Sequence, residues 1–87
     1  MISRPLKQFW EHFSILPSEI RFQAVSAYYK WEKDPYQKGL AFKKVKKSIY
    51  SVRINDNYRT LGWKEGNTVF WFWIGTHPEY EKIIYRC

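Results

Sequence analysis

The sequence predicts an α+β fold: two N-terminal helices packed on one face of a four-stranded antiparallel meander, closed by a short C-terminal helical tail. Three observations lead there. Apolar residues recur at helical spacing as far as Trp31, the signature of amphipathic helices. Past Asp34-Pro35, which stops the second helix, short runs rich in β-branched and aromatic residues take over. Three tight polar turns separate those runs, and connections so short make consecutive strands antiparallel.

Taken in order, Ser3 suits a helix N-cap and Pro5 the first helical position. Leu6, Phe9, Trp10 and Phe13 then stand at i, i+3, i+4 and i+7, giving an amphipathic helix over 5–15 that Leu16-Pro17 ends. Ser18 or Pro17 opens a second helix, with Glu19 favourable in its first turn. Its apolar stripe is Ile20, Ala24, Ala27, Tyr28 and Trp31, and a second stripe of Phe22, Val25 and Tyr29 lies on roughly the opposite side. A helix apolar on two sides is sandwiched. Either the sheet covers one side and the first helix the other, or one side receives a partner.

Gly39 and Leu40 lead into a strand over 41–45, and Lys46-Lys47-Ser48 turns the chain. A strand follows over 49–54, then Asn55-Asp56-Asn57, residues that tolerate positive φ. The third strand covers 58–64, Glu65-Gly66-Asn67 turns again, and the fourth covers 68–74. The tail, 78–85, reads as one or two helical turns with Pro78 at its start.

Faces follow from the period of two. Tyr50, Val52 and Ile54 share one face of the second strand, and Ile49, Ser51 and Arg53 the other, so Arg53 points away from the helix-covered side. On the fourth strand both sets are apolar, Val69, Trp71 and Trp73 against Phe70, Phe72 and Ile74. Such a strand is interior and covered on both sides. Alternation groups Arg59 with Leu61 and Trp63, which aims Arg59 inward if the strand is regular. Either a bulge rotates it, or it sits at the strand start, clear of the core.

Eighty-seven residues make one domain, and a chain this short buries only about 60–65% of its unfolded surface. Five Trp, seven Tyr and six Phe compensate, because large rings bury much area per residue. The same rings stack on bases, so aromatic richness does not by itself separate core from nucleic-acid site. A single cysteine, Cys87, excludes a disulfide framework and a cysteine zinc site within one chain. No apolar run nears the roughly 20 residues that span a bilayer, and the segment from Met1 to Pro5 has no signal-peptide h-region. The expectation is a cytoplasmic protein with no membrane contact.

The net charge is +7, and it is concentrated. Residues 35–64 hold Lys38, Lys43, Lys44, Lys46, Lys47, Arg53, Arg59 and Lys64 against Asp56 alone, +7 for that segment, while the flanking segments nearly cancel. A positive field on one part of a small domain is the footprint of a polyanion-binding surface. Gly75-Thr76-His77-Pro78-Glu79-Tyr80 follows it and brings an imidazole and a phenol. Charge that holds a phosphate beside a group that moves a proton suggests an enzyme acting on nucleic acid.

The order of elements, with Leu16-Pro17, Asp34-Pro35, Gly39-Leu40-Ala41-Phe42-Lys43-Lys44-Val45, Tyr50-Ser51-Val52-Arg53-Ile54, Asn57-Tyr58-Arg59 and Trp73-Ile74-Gly75-Thr76-His77-Pro78-Glu79-Tyr80, resembles the RelE/ParE superfamily of bacterial type II toxins along nearly the whole chain. The resemblance implies two helices over an antiparallel sheet and a toxin neutralised by an antitoxin, usually encoded beside it. For RelE-like members it implies cleavage of mRNA on the translating ribosome with no metal and no cofactor. For ParE-like members it implies inhibition of DNA gyrase. Many members begin with a strand before the first helix. Here only Met1 to Arg4 precede it, and that strand is expected to be truncated or absent.

Metal-free RNA cleavage needs the 2′-hydroxyl deprotonated, the pentacovalent transition state stabilised and the departing 5′-oxygen protonated. Arginine suits the second task, because its fork bonds two phosphate oxygens and it stays charged. Arg53 stands where RelE-like toxins place a basic strand residue, and Arg59 falls on their strand arginine after an aromatic. Few acids lie nearby to pair with them. His77 takes the position where several branches of the superfamily carry a catalytic histidine or arginine, and an unperturbed imidazole titrates near pH 6.5. The plainer alternative is a histidine capping the tail helix. Tyr80 is a candidate to stack on a base or donate a hydrogen bond, or else to anchor the tail in the core. Lys43, Lys44, Lys46 and Lys47 read as contacts to the backbone of mRNA and ribosomal RNA, salt-dependent and sequence-independent, or as a lysine-blunted edge strand. An antitoxin with an acidic segment is expected to cover this surface. A gyrase inhibitor without chemistry of its own, and a non-enzymatic RNA-binding module on the same scaffold, are the competing functions.

Overall fold

The computed structural model describes residues 1–86. The elements in order are β1 (Ile2–Pro5), α1 (Lys7–Ser14), α2 (Ser18–Lys33), β2 (Lys43–Lys46), β3 (Ile49–Arg53), β4 (Tyr58–Glu65), β5 (Thr68–Thr76) and α3 (His77–Arg86). The strands form one sheet in the order β1-β5-β4-β3-β2. From β2 to β5 it is the expected antiparallel meander. β1 adds a fifth strand parallel to β5, so the sheet is mixed, not four-stranded and antiparallel.

The N-terminal strand is therefore present. Four residues are too few to display an alternation, and what fixes them is backbone pairing. Ile2 N–H donates to Asn67 O at 2.8 Å and Leu6 N–H to Trp71 O at 2.9 Å. Pro5 ends this strand; proline is tolerated there because an edge strand leaves one row of donors unused. Ser3 is not a helix cap: its hydroxyl accepts from Trp71 Nε1 at 2.9 Å. α1 accordingly starts at Lys7, two residues later than its spacing suggests, and Leu6 precedes it without a side-chain cap.

α1 and α2 cover one face of the sheet. α2 turns Ala24, Ala27 and Trp31 inward, and its two alanines let the helix come close to the strands. Trp31 meets Trp71 and Phe42 edge-on, with ring centroids 5.3 and 5.7 Å apart, in a cluster that includes Val52 and Val69. Phe9 and Phe13 of α1 join Leu16, Ala24 and Ile74 in a neighbouring cluster. α1 thus lies beside α2 over the sheet. It does not cover the second stripe of α2, as a sandwich would require. An apolar cleft of about 180 Å³ remains between α1, α2 and the sheet.

The opposite face holds α3, a ten-residue helix, longer than the one or two turns expected and beginning one residue earlier. Tyr80, Leu61 and Trp73 are buried together there, with Val45, Ile49, Ile83 and Ile84 around them. This corrects the expectation that Val69, Trp71 and Trp73 share a face. The β4–β5 register shifts between Leu61, opposite Trp73, and Gly62, opposite Trp71. Phe72 is the extra residue, and its insertion sends Trp71 to the α2 face and Trp73 to the α3 face. Thr60 supports the irregularity by donating its hydroxyl to Trp73 O at 2.8 Å. Gly62 makes room on the other side: a Cβ there would stand 2.5 Å from Val69 Cγ1 and 2.7 Å from Trp71 Cε3.

Candidate active site

One row of the sheet carries the basic site. Arg53 of β3 faces Arg59 of β4, and Arg59 faces Gly75 of β5. Ile54 N–H donates to Tyr58 O at 3.1 Å, so Arg53 and Arg59 form a non-hydrogen-bonded pair, the closer kind, with Cα atoms about 4.5 Å apart. Both belong to the α3 face. Arg53 lies there as alternation requires. Arg59 needs neither a bulge nor a strand end to avoid the α1–α2 core, because Leu61 and Trp63, with which it alternates, also face α3. Trp63 is 46% exposed.

Gly75 closes the row. A Cβ there would meet Trp73 Cζ2 at 2.5 Å and Glu79 Oε1 at 3.1 Å, so only glycine lets the Trp73 ring and the start of α3 sit this close to the strand. Two residues on, His77 N–H donates to Asn57 O at 2.7 Å. That bond joins the first turn of α3 to the loop connecting the two arginine strands. Thr76 is the cap of α3. Its hydroxyl accepts from Glu79 N–H at 3.4 Å, and Glu79 Oε1 accepts from Thr76 N–H at 3.1 Å and from the Thr76 hydroxyl at 2.7 Å, a capping box. These bonds from Thr76, the side-chain one foremost, hold the Glu79 carboxyl below its ordinary value.

The His77 ring is set by its own helix. Nδ1 lies 3.2 Å from Glu81 Oε1, one turn on, and the side chain is 39% exposed. The Tyr80 ring sits 5.5 Å from it, centroid to centroid, at 41°. Nε2 takes part in neither contact. Tyr80 itself is buried against Leu61 and Trp73, which leaves no open ring face for a base. The plainer alternative, a histidine capping the tail helix, gives way to Thr76 as cap and His77 as the first helical residue.

Both arginines turn toward the 54–57 loop. Arg53 pairs with the Asp56 carboxylate, so the expected want of acidic partners does not hold for it, and it also reaches Gly39 O at 3.5 Å. Arg59 donates through one nitrogen to Asn55 O at 2.5 Å and Tyr58 O at 2.9 Å and is half-buried. The loop is shaped by Asn55, whose Oδ1 accepts from the N–H of Asn57 at 2.8 Å and of Tyr58 at 3.0 Å, an Asx turn. None of its residues has positive φ. The Asp56 carboxyl is held below its usual value, first by the bond from Arg53, then by that charge, and less by Arg59.

The lysines divide. Lys43 pairs with Ser51 and lies on the α3 face, whereas Lys44 pairs with Tyr50 and lies on the other. Lys46 is committed to structure: its Nζ donates to Ile84 O at 3.2 Å, a cation on the carbonyl end of α3. Lys47 is exposed in the β2–β3 turn at φ +45°. The site therefore gathers Arg53, Arg59, His77 and Lys43 on one face; Lys44 lies on the other, and Lys46, on the α3 face, is tied to the end of that helix. Sequence reasoning missed Glu79, Glu81 and Asp56. Thr76-x-x-Glu79 is a legible capping pattern, and the i, i+4 spacing of His77 and Glu81 is legible too. Among the described residues no three of His, Cys, Asp and Glu stand together as metal ligands, and no helix is long and apolar enough to cross a membrane.

Two arginines on adjacent strands, with Gly75 completing their row and an imidazole at the start of the following helix, lie on a mixed sheet between a helix pair and a single helix. The profile of the ParE-like toxin domain matches residues 18–82, and the chain belongs to that family, within the RelE/ParE superfamily. The fold is similar to that of the RelB–RelE antitoxin–toxin complex from Methanococcus jannaschii, at 18% identity and a TM-score of 0.73 over 92% of this chain and 96% of that one. It is similar to the YoeB/ParE toxin from Agrobacterium tumefaciens, at 12% identity and a TM-score of 0.69 over 88% and 99%. The isolated RelE toxin of E. coli matches at 16% identity and a TM-score of 0.66 over 98% and 96%. Comparison with curated protein sequences gives no match.

Proposed function

We propose that this chain is the toxin of a type II toxin–antitoxin pair and an endoribonuclease that cleaves mRNA on the translating ribosome in the cytoplasm. The observation that carries the reading is the Arg53–Arg59 row with His77 bonded to the loop between the two strands. In this reading the scissile phosphate displaces the Asp56 carboxylate from Arg53 and lies over the row. The arginines hold its non-bridging oxygens and stabilise the charge of the transition state. The 2′-oxygen attacks phosphorus as it loses its proton, the bond to the 5′-oxygen breaks, and that oxygen gains a proton. His77, through Nε2, is the proton carrier for one of these transfers, and solvent water serves the other. Tyr80 supports the imidazole and anchors α3. Lys43, Lys44 and Lys47 touch nucleic-acid backbone, while Lys46 holds α3 in place. The chemistry uses side-chain charge and proton transfer, with no metal or cofactor step.

The ParE-like profile match favours a second reading, a gyrase-directed toxin without nuclease activity. An RNA-binding module without chemistry is a third. Inducible expression of wild type and His77→Ala, with primer extension on a reporter mRNA and with translation running or blocked, separates them. Cuts within the reading frame that require both translation and His77 are expected. Growth arrest without cuts and independent of His77 would move the target to gyrase. RNA binding without arrest or cuts would leave the binding module. A relative whose solved structure is an antitoxin–toxin complex supports a cognate antitoxin as partner, with an acidic segment that blocks the arginine row.

A further inference from the structure

The second stripe of α2 is left uncovered by the fold. Phe22, Val25 and Tyr29, at i, i+3 and i+7, are 77%, 43% and 60% exposed, although the same helix buries Ala24, Ala27 and Trp31 on its other side. α1 packs beside α2 and leaves these three side chains open. They line a groove of about 470 Å³ whose rim carries Lys30 and Lys33 and whose lining includes no carboxylate. A large exposed apolar patch with a polar rim marks an interaction surface, and anchors at i, i+3 and i+7 suit a helix packed alongside.

We infer that this groove docks an amphipathic helix of the antitoxin, with apolar residues set between Phe22, Val25 and Tyr29 and carboxylates facing Lys30 and Lys33. The inference rests on the antitoxin reading above. Charge selects the occupant. A second copy of this chain would bring another net +7 against the same lysines, whereas an acidic helix meets them with opposite sign. The surface lies across the sheet from Arg53, Arg59 and α3. A helix seated on α2 therefore anchors the partner without touching the basic row, and a separate acidic segment has to block that row.

The test is coexpression with the protein encoded immediately beside this chain's gene. Wild type is expected to copurify with it and to be neutralised. Phe22→Glu and Tyr29→Glu, at exposed positions, are expected to melt like wild type and to arrest growth when expressed alone. They are expected to bind the partner at least about tenfold more weakly and to escape neutralisation. Lys30→Glu/Lys33→Glu is expected to weaken binding most at low salt. Wild-type complex formation with all these variants still bound and neutralised would overturn the docking surface and leave the antitoxin reading standing. Absence of a wild-type complex would overturn both. A wild-type dimer in sedimentation that Tyr29→Glu dissociates would assign the groove to a second copy instead, and Tyr29-dependent binding to anionic phospholipid vesicles would assign it to a lipid surface.

Discussion

Glu79 spans structure and site, because its carboxylate caps α3 and stands where a side chain on Gly75 would intrude. Its folded-state carboxyl titrates below the ordinary value of 4.5. The stability it contributes is therefore complete above that value and is lost as pH falls through the lowered one. Glu79→Gln is expected to destabilise the protein near neutral pH by less than about 1 kcal/mol, since an exposed cap is screened by water. The difference from wild type should shrink steadily below pH 4.5. Thermal melts of both proteins from neutral to acidic pH check this; a gap that stays constant would remove Glu79 from the acid limb. Local contacts of this kind were open to sequence reading. Thr76 and Glu79 stand three apart, the spacing of a capping box, whereas the pair of Arg53 and Asp56 is made by the turn of the 54–57 loop and has no such pattern. The bond from Lys46 to Ile84 O spans 38 residues, and no local pattern announces it.

At the scale of elements, what was legible follows the strength of each periodic signal. α2 and the last three strands of the meander start where spacing and turn residues put them, because each has enough residues to show its period. β2, expected over 41–45, runs instead over Lys43–Lys46, because Ala41 takes φ +48° and the pairing with β3 shifts between Lys44 and Lys46. β1 did not show, since four residues held by backbone bonds to β5 carry no side-chain alternation. The faces of β5 were misread past Trp71 because a bulge at Phe72 shifts the phase, and a run apolar on both faces gives no warning of a phase change. α3 depends most on one anchor. Tyr80 is buried against Leu61 and Trp73, and its ring also backs His77. Tyr80→Ala is expected to cost about 3 kcal/mol or more, as truncating a large buried ring does, and to abolish cleavage as His77 loses its support. Tyr80→Phe keeps the ring, and is expected to keep both stability and cleavage. Denaturant midpoints and single-turnover cleavage separate the roles: Tyr80→Phe with wild-type stability and a hundredfold slower cut would make the hydroxyl a proton donor.

Across the whole molecule the +7 of residues 35–64 is not a flat patch. Lys43, Arg53 and Arg59 face α3, Lys44 faces the α1–α2 side, and Lys47 projects from the β2–β3 turn, so the positive field wraps the β2 edge of the sheet. In the proposed reading, a strand of RNA laid over the arginine row would meet Lys43 and continue around that edge. The field also repels a paired strand, which keeps the exposed β2 edge from joining another sheet. These two uses of the lysines predict different salt behaviour. On a non-cleavable single-stranded RNA, log affinity should fall linearly with log salt, each phosphate contact contributing about 0.7 to the slope. Lys43→Ala and Lys47→Ala should each reduce the slope by about that amount and weaken all sequences alike. Lys46→Ala should leave the slope unchanged and lower the melting temperature instead, because its ammonium bonds the end of α3 and not the ligand. Fluorescence anisotropy between 50 and 200 mM salt, the range over which such contacts are read, decides the matter. Equal slopes for wild type and both lysine variants would make the cluster a guard on the sheet edge with no part in holding RNA.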